Sequence, residues 1–84
     1  MIMQDAYPKE YKIGRWYKSR YPFGLYDKPF DPVASPRWYP KGRLVKPISV
    51  WHRQSGTYYQ VALKNGDCGW IEACRAAFVQ RGDG

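Results

Sequence analysis

The strongest evidence for the fold class is in residues 55–71. They read Ser55-Gly56-Thr57-Tyr58-Tyr59-Gln60-Val61-Ala62-Leu63-Lys64-Asn65-Gly66-Asp67-Cys68-Gly69-Trp70-Ile71. Its first half is rich in β-branched and aromatic residues, which favour strands. An Asn-Gly turn between two such segments is typical of a β-hairpin. We therefore predict strands at Thr57–Leu63 and Cys68–Ile71, joined by a short loop.

The register of this hairpin depends on the length of its loop. A two-residue turn would place Cys68 and Trp70 on the same face as the aliphatic residues. A three-residue loop, with Gly66 in the left-handed conformation of a β-bulge, shifts the return strand by one residue and reverses its faces. We choose the longer loop because it buries an aliphatic and aromatic set, with the small Gly69 among them. The predicted buried residues are Tyr59, Val61, Leu63 and Ile71, with Gln60 exposed.

Upstream of the hairpin, the chain divides into a strand and a proline-rich segment. Residues 11–21 alternate imperfectly and predict one strand that is bent at Gly14. Residues 22–40 hold five of the seven prolines, a density that excludes a helix or a central strand. We expect a short strand at Gly24–Asp27 and then a long loop against the core. Loops of such length in compact domains are usually functional.

The middle and the end of the chain complete an all-β pattern. A turn at Lys41–Gly42 precedes a strand at Arg43–His52, with Leu44, Ile48 and Val50 or their neighbours pointing inward. Pro47 predicts an edge, a bulge or a bend in that strand. Residues 54–56 predict a second turn, and residues 72–78 suit one helical or 3₁₀ turn.

Together these elements predict one domain of the all-β class, a small SH3-like β-barrel with a long loop rich in proline and aromatic residues and a short C-terminal helical turn. We expect a flexible arm at residues 1–10, the barrel at residues 11–79 and a tail at residues 80–84. At 84 residues the chain can build a single core.

Three segments resemble bacterial SH3 (SH3b-type) domains. Those domains share a short strand like Gly24–Asp27, a Lys-Gly turn like Pro40–Val45, and a hairpin like Ser55–Ile71. The resemblance covers residues 23–79, is most specific for the hairpin and implies the SH3-like barrel. Many SH3b domains bind peptidoglycan, but this chain shows no export signal, so peptidoglycan is not the ligand we expect.

The composition limits the choice of partner. The formal net charge is +7 and aromatic residues make up 18% of the chain. Such an excess of positive charge favours an acidic protein surface, nucleic acid or anionic lipid. No segment is long and apolar enough to predict a membrane span. Two cysteines without an export signal predict a cytoplasmic protein with both thiols reduced.

The sequence does not predict an enzyme. His52 is the single histidine and has no carboxylate or cysteine close to it in sequence. Cys68 and Cys74 lack the further ligands that a zinc site needs. The glycines are dispersed and form no phosphate-binding loop. We therefore expect no catalytic residue, no metal and no cofactor.

Aromatic and basic residues are the candidates for binding. SH3-like barrels bind peptides in clefts lined by aromatic side chains, and some of the same rings could equally close a small core. Basic residues alternate with aromatic ones along two stretches, a mixture that also suits nucleic acid. The candidate partner-binding residues are Tyr58, Trp70, Trp38, Tyr39 and Trp51. The candidate basic rim, or nucleic-acid-binding residues, are Arg15, Lys18, Arg20, Arg37 and Lys41.

From these observations we expect a stand-alone, non-catalytic module, which could belong to a virus or mobile element. Its expected ligand is a protein or peptide with an acidic surface, held in an aromatic cleft with a basic rim. Nucleic acid is the alternative ligand. The sequence does not decide between them.

Overall fold

The computed structural model describes residues 10–29 and 35–80. Within these ranges the chain is almost entirely β, so the predicted all-β class is confirmed. The predicted arm, apart from Glu10, and the tail beyond Gln80 lie outside the described residues, as do residues 30–34 of the predicted long loop. The elements are β1 Tyr17–Ser19, β2 Phe23–Leu25, β3 Arg37–Tyr39, β4 Leu44–Arg53, β5 Gly56–Leu63, β6 Cys68–Glu72, a 3₁₀ helix Ala73–Arg75 and β7 Phe78–Gln80.

Five of the strands form one antiparallel sheet in the order β6-β5-β4-β1-β7, and β2 pairs with β3 in a separate two-stranded sheet. An isolated bridge links the two sheets, because the backbones of Tyr26 and Trp70 exchange hydrogen bonds of 2.9 and 2.7 Å. Strand pairing does not close the sheets into a barrel. The SH3-like assignment therefore stays a prediction.

The hairpin has the predicted three-residue loop. Tyr59 pairs with Ile71 and Val61 pairs with Gly69, which leaves residues 64–66 as the loop. Gly66 has a φ of +95°, the left-handed conformation that the bulge requires. The four residues predicted to be buried are each at most 4% exposed. Gln60, which we expected to be exposed, is half-buried between its cross-strand neighbours.

The structure corrects three predictions about the rest of the chain. The first strand covers only β1, because Gly14 forms a turn with a φ of +88° and donates a hydrogen bond of 2.7 Å to the carbonyl of Pro47. Arg37–Tyr39 is a strand and not part of a loop, since an edge position next to β2 tolerates the flanking prolines. In β4 the buried residues are Val45 and Pro47, while Ile48 and Val50 are exposed.

A bulge explains the change of facing along β4. The register with β5 shifts between Pro47 and Ser49, so Ile48 has no partner in the ladder. A bulge bends its strand and increases the local twist. A bulge is one of the three features, an edge, a bulge or a bend, that Pro47 predicted for this strand. The predicted turns at residues 41–42 and 54–56 and the predicted 3₁₀ turn at Ala73–Arg75 are also present.

Gly69 determines how closely the two sheets approach each other. A Cβ atom at this position would lie 2.7 Å from the Cβ of Leu25 and 3.1 Å from the carbonyl oxygen of Tyr26. Real Cβ atoms do not approach other atoms so closely, so β2 can pack against β6 only because residue 69 has no side chain. The small residue predicted on the buried face is thus a packing requirement.

Gly69→Ala tests this close packing. We expect it to lower the free energy of unfolding by about 1–3 kcal/mol, because the added methyl must push β2 away from β6. Urea unfolding followed by tryptophan fluorescence measures the change. Cys68→Ala, at the neighbouring exposed position, is the control and should change stability by less than about 0.5 kcal/mol. Wild-type stability of Gly69→Ala would contradict the close contact between the sheets.

Candidate binding surface

The outward side of β4, β5 and β6 forms one continuous surface, which we call the outer face. The inward residues of these strands build the core, and those that alternate with them point to the other side. The register places the outward residues in successive rows across the three strands. The rows are Lys46, Ala62 and Cys68; Ser49, Gln60 and Trp70; and Trp51, Tyr58 and Glu72.

Three aromatic residues lie together at one end of the outer face, and we call them the aromatic cluster: Trp51, Tyr58 and Trp70. Trp51 is directly opposite Tyr58 in the ladder. Its ring centroid is 6.1 Å from that of Trp70, with the planes at 62°. Trp51 is 44% exposed and the other two are half-buried. The guanidinium of Arg53 lies 5.8 Å from the centroid of Trp51.

Positive charge is concentrated at the other end of the outer face. The Nζ atoms of Lys46 and Lys64 lie 5.2 and 4.9 Å from the ring centroid of Trp16, distances at which a cation and an aromatic ring attract each other. Lys18 is exposed on β1 opposite Leu44, so it points to the same side as Lys46. We call Lys18, Lys46 and Lys64 the lysine cluster.

The structure brings together only part of the predicted aromatic site. Trp51, Tyr58 and Trp70 meet in the aromatic cluster. Trp38 is 69% exposed but projects from the β2–β3 sheet, where it lies opposite Gly24. Tyr39 is buried and stacks on Phe23, with centroids 5.5 Å apart and planes at 19°.

Arg37 and Tyr39 join the β2–β3 sheet to the β5–β6 loop. The Arg37 guanidinium donates to the Asp27 carboxylate at 3.1 Å, to the Cys68 carbonyl at 2.8 Å and to the Tyr39 hydroxyl at 3.2 Å. That hydroxyl in turn donates to Asp67 at 3.1 Å. Burial and this hydrogen bond raise the pKa of Tyr39 above its ordinary value, so it is a neutral donor at physiological pH. Both residues therefore have structural partners.

The remaining predicted cations lie on several sides of the molecule. Arg15 precedes β1, Arg20 follows it, and Lys41 lies in the turn before β4; all three are exposed. Sequence reasoning missed three cations that share a face with the aromatic cluster: Lys46, Arg53 and Lys64. The signal for Lys46 was its position between Val45 and Pro47, which are inward. The predicted alternation named Leu44 and Ile48 as inward and so did not place Lys46 on the outer side.

The structure also shows the surroundings of the histidine and of the two cysteines. The Nδ1 atom of exposed His52 is 3.1 Å from the Thr57 hydroxyl. Cys68 and Cys74 are free and exposed. Partial desolvation and the neighbouring Glu72 carboxylate raise the pKa of the Cys74 thiol, which disfavours the reactive thiolate. Residues 10–29 and 35–80 contain no group of three or more acidic, cysteine or histidine side chains placed to hold a metal ion.

Two further results concern membrane spans and similarity to known proteins. No helix in the described part of the chain has the length and apolar character needed to span a membrane. No protein-family model, curated protein sequence or solved structure matches this chain.

Proposed function

We propose that this chain is an SH3-like binding module that recognises a protein or peptide segment through the aromatic cluster on its outer face. The observation that carries the proposal is the contact between Trp51 and Trp70 on a sheet face where Trp51 is 44% exposed. Aromatic residues at the centre of an interface provide most of the binding energy in many complexes. We propose that the protein catalyses no reaction and that it is located in the cytoplasm.

The connectivity supports the SH3-like part of this proposal. The last strand returns to pair with the first, and a 3₁₀ helix directly precedes it. The β2–β3 pair lies between β1 and β4 in chain order, and the bridge between Tyr26 and Trp70 connects it to β6. This arrangement, like the sequence of the β5–β6 hairpin, is typical of the small barrels that the chain resembles.

Rings that meet at an angle suit a peptide ligand. The planes of Trp51 and Trp70 are inclined by 62° in an edge-to-face contact, so the two rings present an angled apolar surface and not a flat platform. Proline-rich peptides dock on surfaces lined by aromatic rings with little loss of conformational entropy, because their polyproline II helix is preformed. The expected ligand segment is therefore extended and carries at least one proline or aliphatic residue.

Nucleic acid is the second candidate ligand, favoured by the net charge of +7 and by the lysine cluster. A single strand carries a base and a phosphate in every nucleotide, so platforms that bind it interleave aromatic rings with cations. On the outer face the lysines lie away from Trp51 and Tyr58, and the cation beside Trp51 is Arg53. Trp16, the ring within the lysine cluster, already contacts two ammonium groups. This separation supports a peptide over a nucleic acid.

Selection from a displayed library of random peptides tests the proposal. We expect the wild-type protein to enrich peptides whose affinity falls about 30-fold or more in Trp70→Ala and in Trp51→Ala, as for residues at the centre of an interface. Trp38→Ala is the matched control, because it removes an exposed tryptophan from the other sheet. We expect it to retain wild-type affinity.

The same experiment can reject the proposal. It fails if no peptide is enriched, or if the three tryptophan variants bind the selected peptides equally well. It also fails if an oligothymidylate binds wild-type protein more tightly than any selected peptide at 150 mM salt, a condition that weakens purely electrostatic binding. Circular dichroism of each variant establishes that it is folded.

A further inference from the structure

We infer that the lysine cluster binds the carboxylates of an acidic segment in the same partner whose apolar residues dock on the aromatic cluster. The inference rests on the proposed function and extends it from the aromatic cluster alone to a site with two chemically different ends. The partner segment would carry Asp or Glu residues at one end and proline or aliphatic residues at the other.

Two lysines of the cluster share one aromatic ring, and the third lies on the same side of the sheet. Lys46 and Lys64 both lie within 5.2 Å of the Trp16 ring centroid, and Lys18 neighbours them on the same side of the sheet. Like charges on one side of a sheet repel each other, and a bound anion reduces this repulsion. The Trp16 ring offsets only part of it.

No carboxylate of the described residues forms an ion pair with the lysine cluster. Asp27 pairs with Arg37 at 3.1 Å, and Glu72 lies 3.7 Å from Arg75. Asp67 accepts hydrogen bonds from the side chains of Tyr39 and Asn65. Among the described residues the lysine cluster therefore has no carboxylate partner within ion-pair distance, which leaves its ammonium groups available to a ligand.

The distance between the two ends matches a short extended peptide. Along β5 the chain runs six residues from Tyr58 to Lys64, which is about 20 Å at the rise of a strand. An extended peptide of about six or seven residues covers this length. Between the two ends, Gln60 and Ala62 are polar or small, and Trp70, in the row of Gln60, belongs to the aromatic cluster on which the apolar residues of the peptide would dock.

A carboxylate-bearing peptide fits this arrangement better than a nucleic acid. Peptides can hold acidic and apolar residues in separate blocks, whereas nucleotides repeat phosphate and base at every step. On the outer face the lysine cluster is likewise separate from Trp51 and Tyr58. Charge complementarity therefore selects an acidic peptide as the occupant of the lysine end.

Two variants with equal net charge test the inference. The first is Lys18→Gln with Lys46→Gln and Lys64→Gln. The second is Lys12→Gln with Lys28→Gln and Lys41→Gln, which removes three exposed lysines that do not belong to the outer face. The probe is a fluorescein-labelled octaglutamate peptide, measured by anisotropy, with a 15-residue oligothymidylate as its competitor. Backbone amide shifts on titration with octaglutamate locate the binding site.

We expect the first variant to bind octaglutamate about tenfold more weakly, as three exposed ion pairs of modest strength would give, and the second to lose less than about twofold. The amides of Lys46, Ala62 and Lys64 should shift and those of the aromatic cluster should not. Equal loss in the two variants would overturn the inference, because diffuse charge would then be sufficient. Tighter binding of oligothymidylate than of octaglutamate, with the same dependence on the lysine cluster, would also overturn it.

Failure of this inference is distinguishable from failure of the proposed function. Peptides selected on wild-type protein should lose their Asp and Glu enrichment when the first lysine variant is the target, while they keep their proline and aliphatic residues. If the acidic enrichment persists and Trp70→Ala still abolishes binding, the inference is wrong and the proposed function stands. If Trp70→Ala selects the same peptides as wild type, the proposed function is wrong.

Discussion

Val61→Asp is expected to remove much of the protein's stability. Val61 is fully buried at the centre of β5, between Pro47 of β4 and Gly69 of β6. A carboxylate there must either lose its hydration or take up a proton, and both cost free energy. The expected loss is about 3 kcal/mol or more. A domain of this length has a total stability of about 4–13 kcal/mol, so the change removes much or all of it.

The measurement is the far-ultraviolet circular dichroism of the variant together with its urea unfolding curve. Val50→Asp is the matched control, because Val50 lies on the adjacent strand and is 38% exposed. Its carboxylate can stay hydrated, so we expect less than about 1 kcal/mol of destabilisation. Similar stabilities of the two variants would show that the buried face has been assigned wrongly.

Tyr11→Ala is expected to destabilise the protein by about 3–5 kcal/mol, the usual cost of deleting a buried aromatic ring. Tyr11 lies outside every strand, yet it is only 5% exposed. Its ring is within 5.0 to 5.6 Å, between centroids, of Tyr17, Tyr59 and Phe78. The segment before β1 therefore closes one end of the core.

The hydroxyl group of Tyr11 contributes separately. It donates to the Ala76 carbonyl at 2.9 Å and accepts the Phe78 backbone N–H at 3.3 Å, so it holds the start of β7. Tyr11→Phe keeps the ring and leaves these two groups unpaired, for an expected loss of about 1–3 kcal/mol.

Tyr21→Ala, at a site that is 57% exposed, is the control and should be nearly neutral. Urea titration of the three tyrosine variants, followed by tryptophan fluorescence, gives the comparison. If Tyr11→Ala is as stable as Tyr21→Ala, the segment before β1 is not part of the core.

Local sequence patterns predicted the second half of the fold well. The register of the β5–β6 hairpin follows from its loop, since Gly66 can adopt a positive φ and the alternative register would bury a less apolar set. The adjacent turns are equally local, because glycine and its neighbours determine them. The bulge near Pro47 was among the predicted outcomes for the same reason.

The first half was predicted less well because it depends on distant contacts. Arg37–Tyr39 becomes a strand since β2 offers it hydrogen bonds across the sheet, and no pattern within residues 28–39 indicates that pairing. In β4 the inward residues before the bulge are Val45 and Pro47, whereas after it Val50 pairs with buried Tyr59, because one bulged residue exchanges the two faces. The role of Tyr11 depends on partners 48 to 67 residues away.

The candidate surface shows the same division. The chain's own residues determine that it is basic, rich in aromatic residues and of the all-β class, because composition and strand propensity are local properties. Only the tertiary structure decides which aromatic rings meet: Trp51, Tyr58 and Trp70 lie on three strands, and the register brings them onto one face. It also places Lys46 and Lys64 around Trp16 and buries Tyr39, since cross-strand neighbours are distant in sequence and are set by pairing, not by propensity.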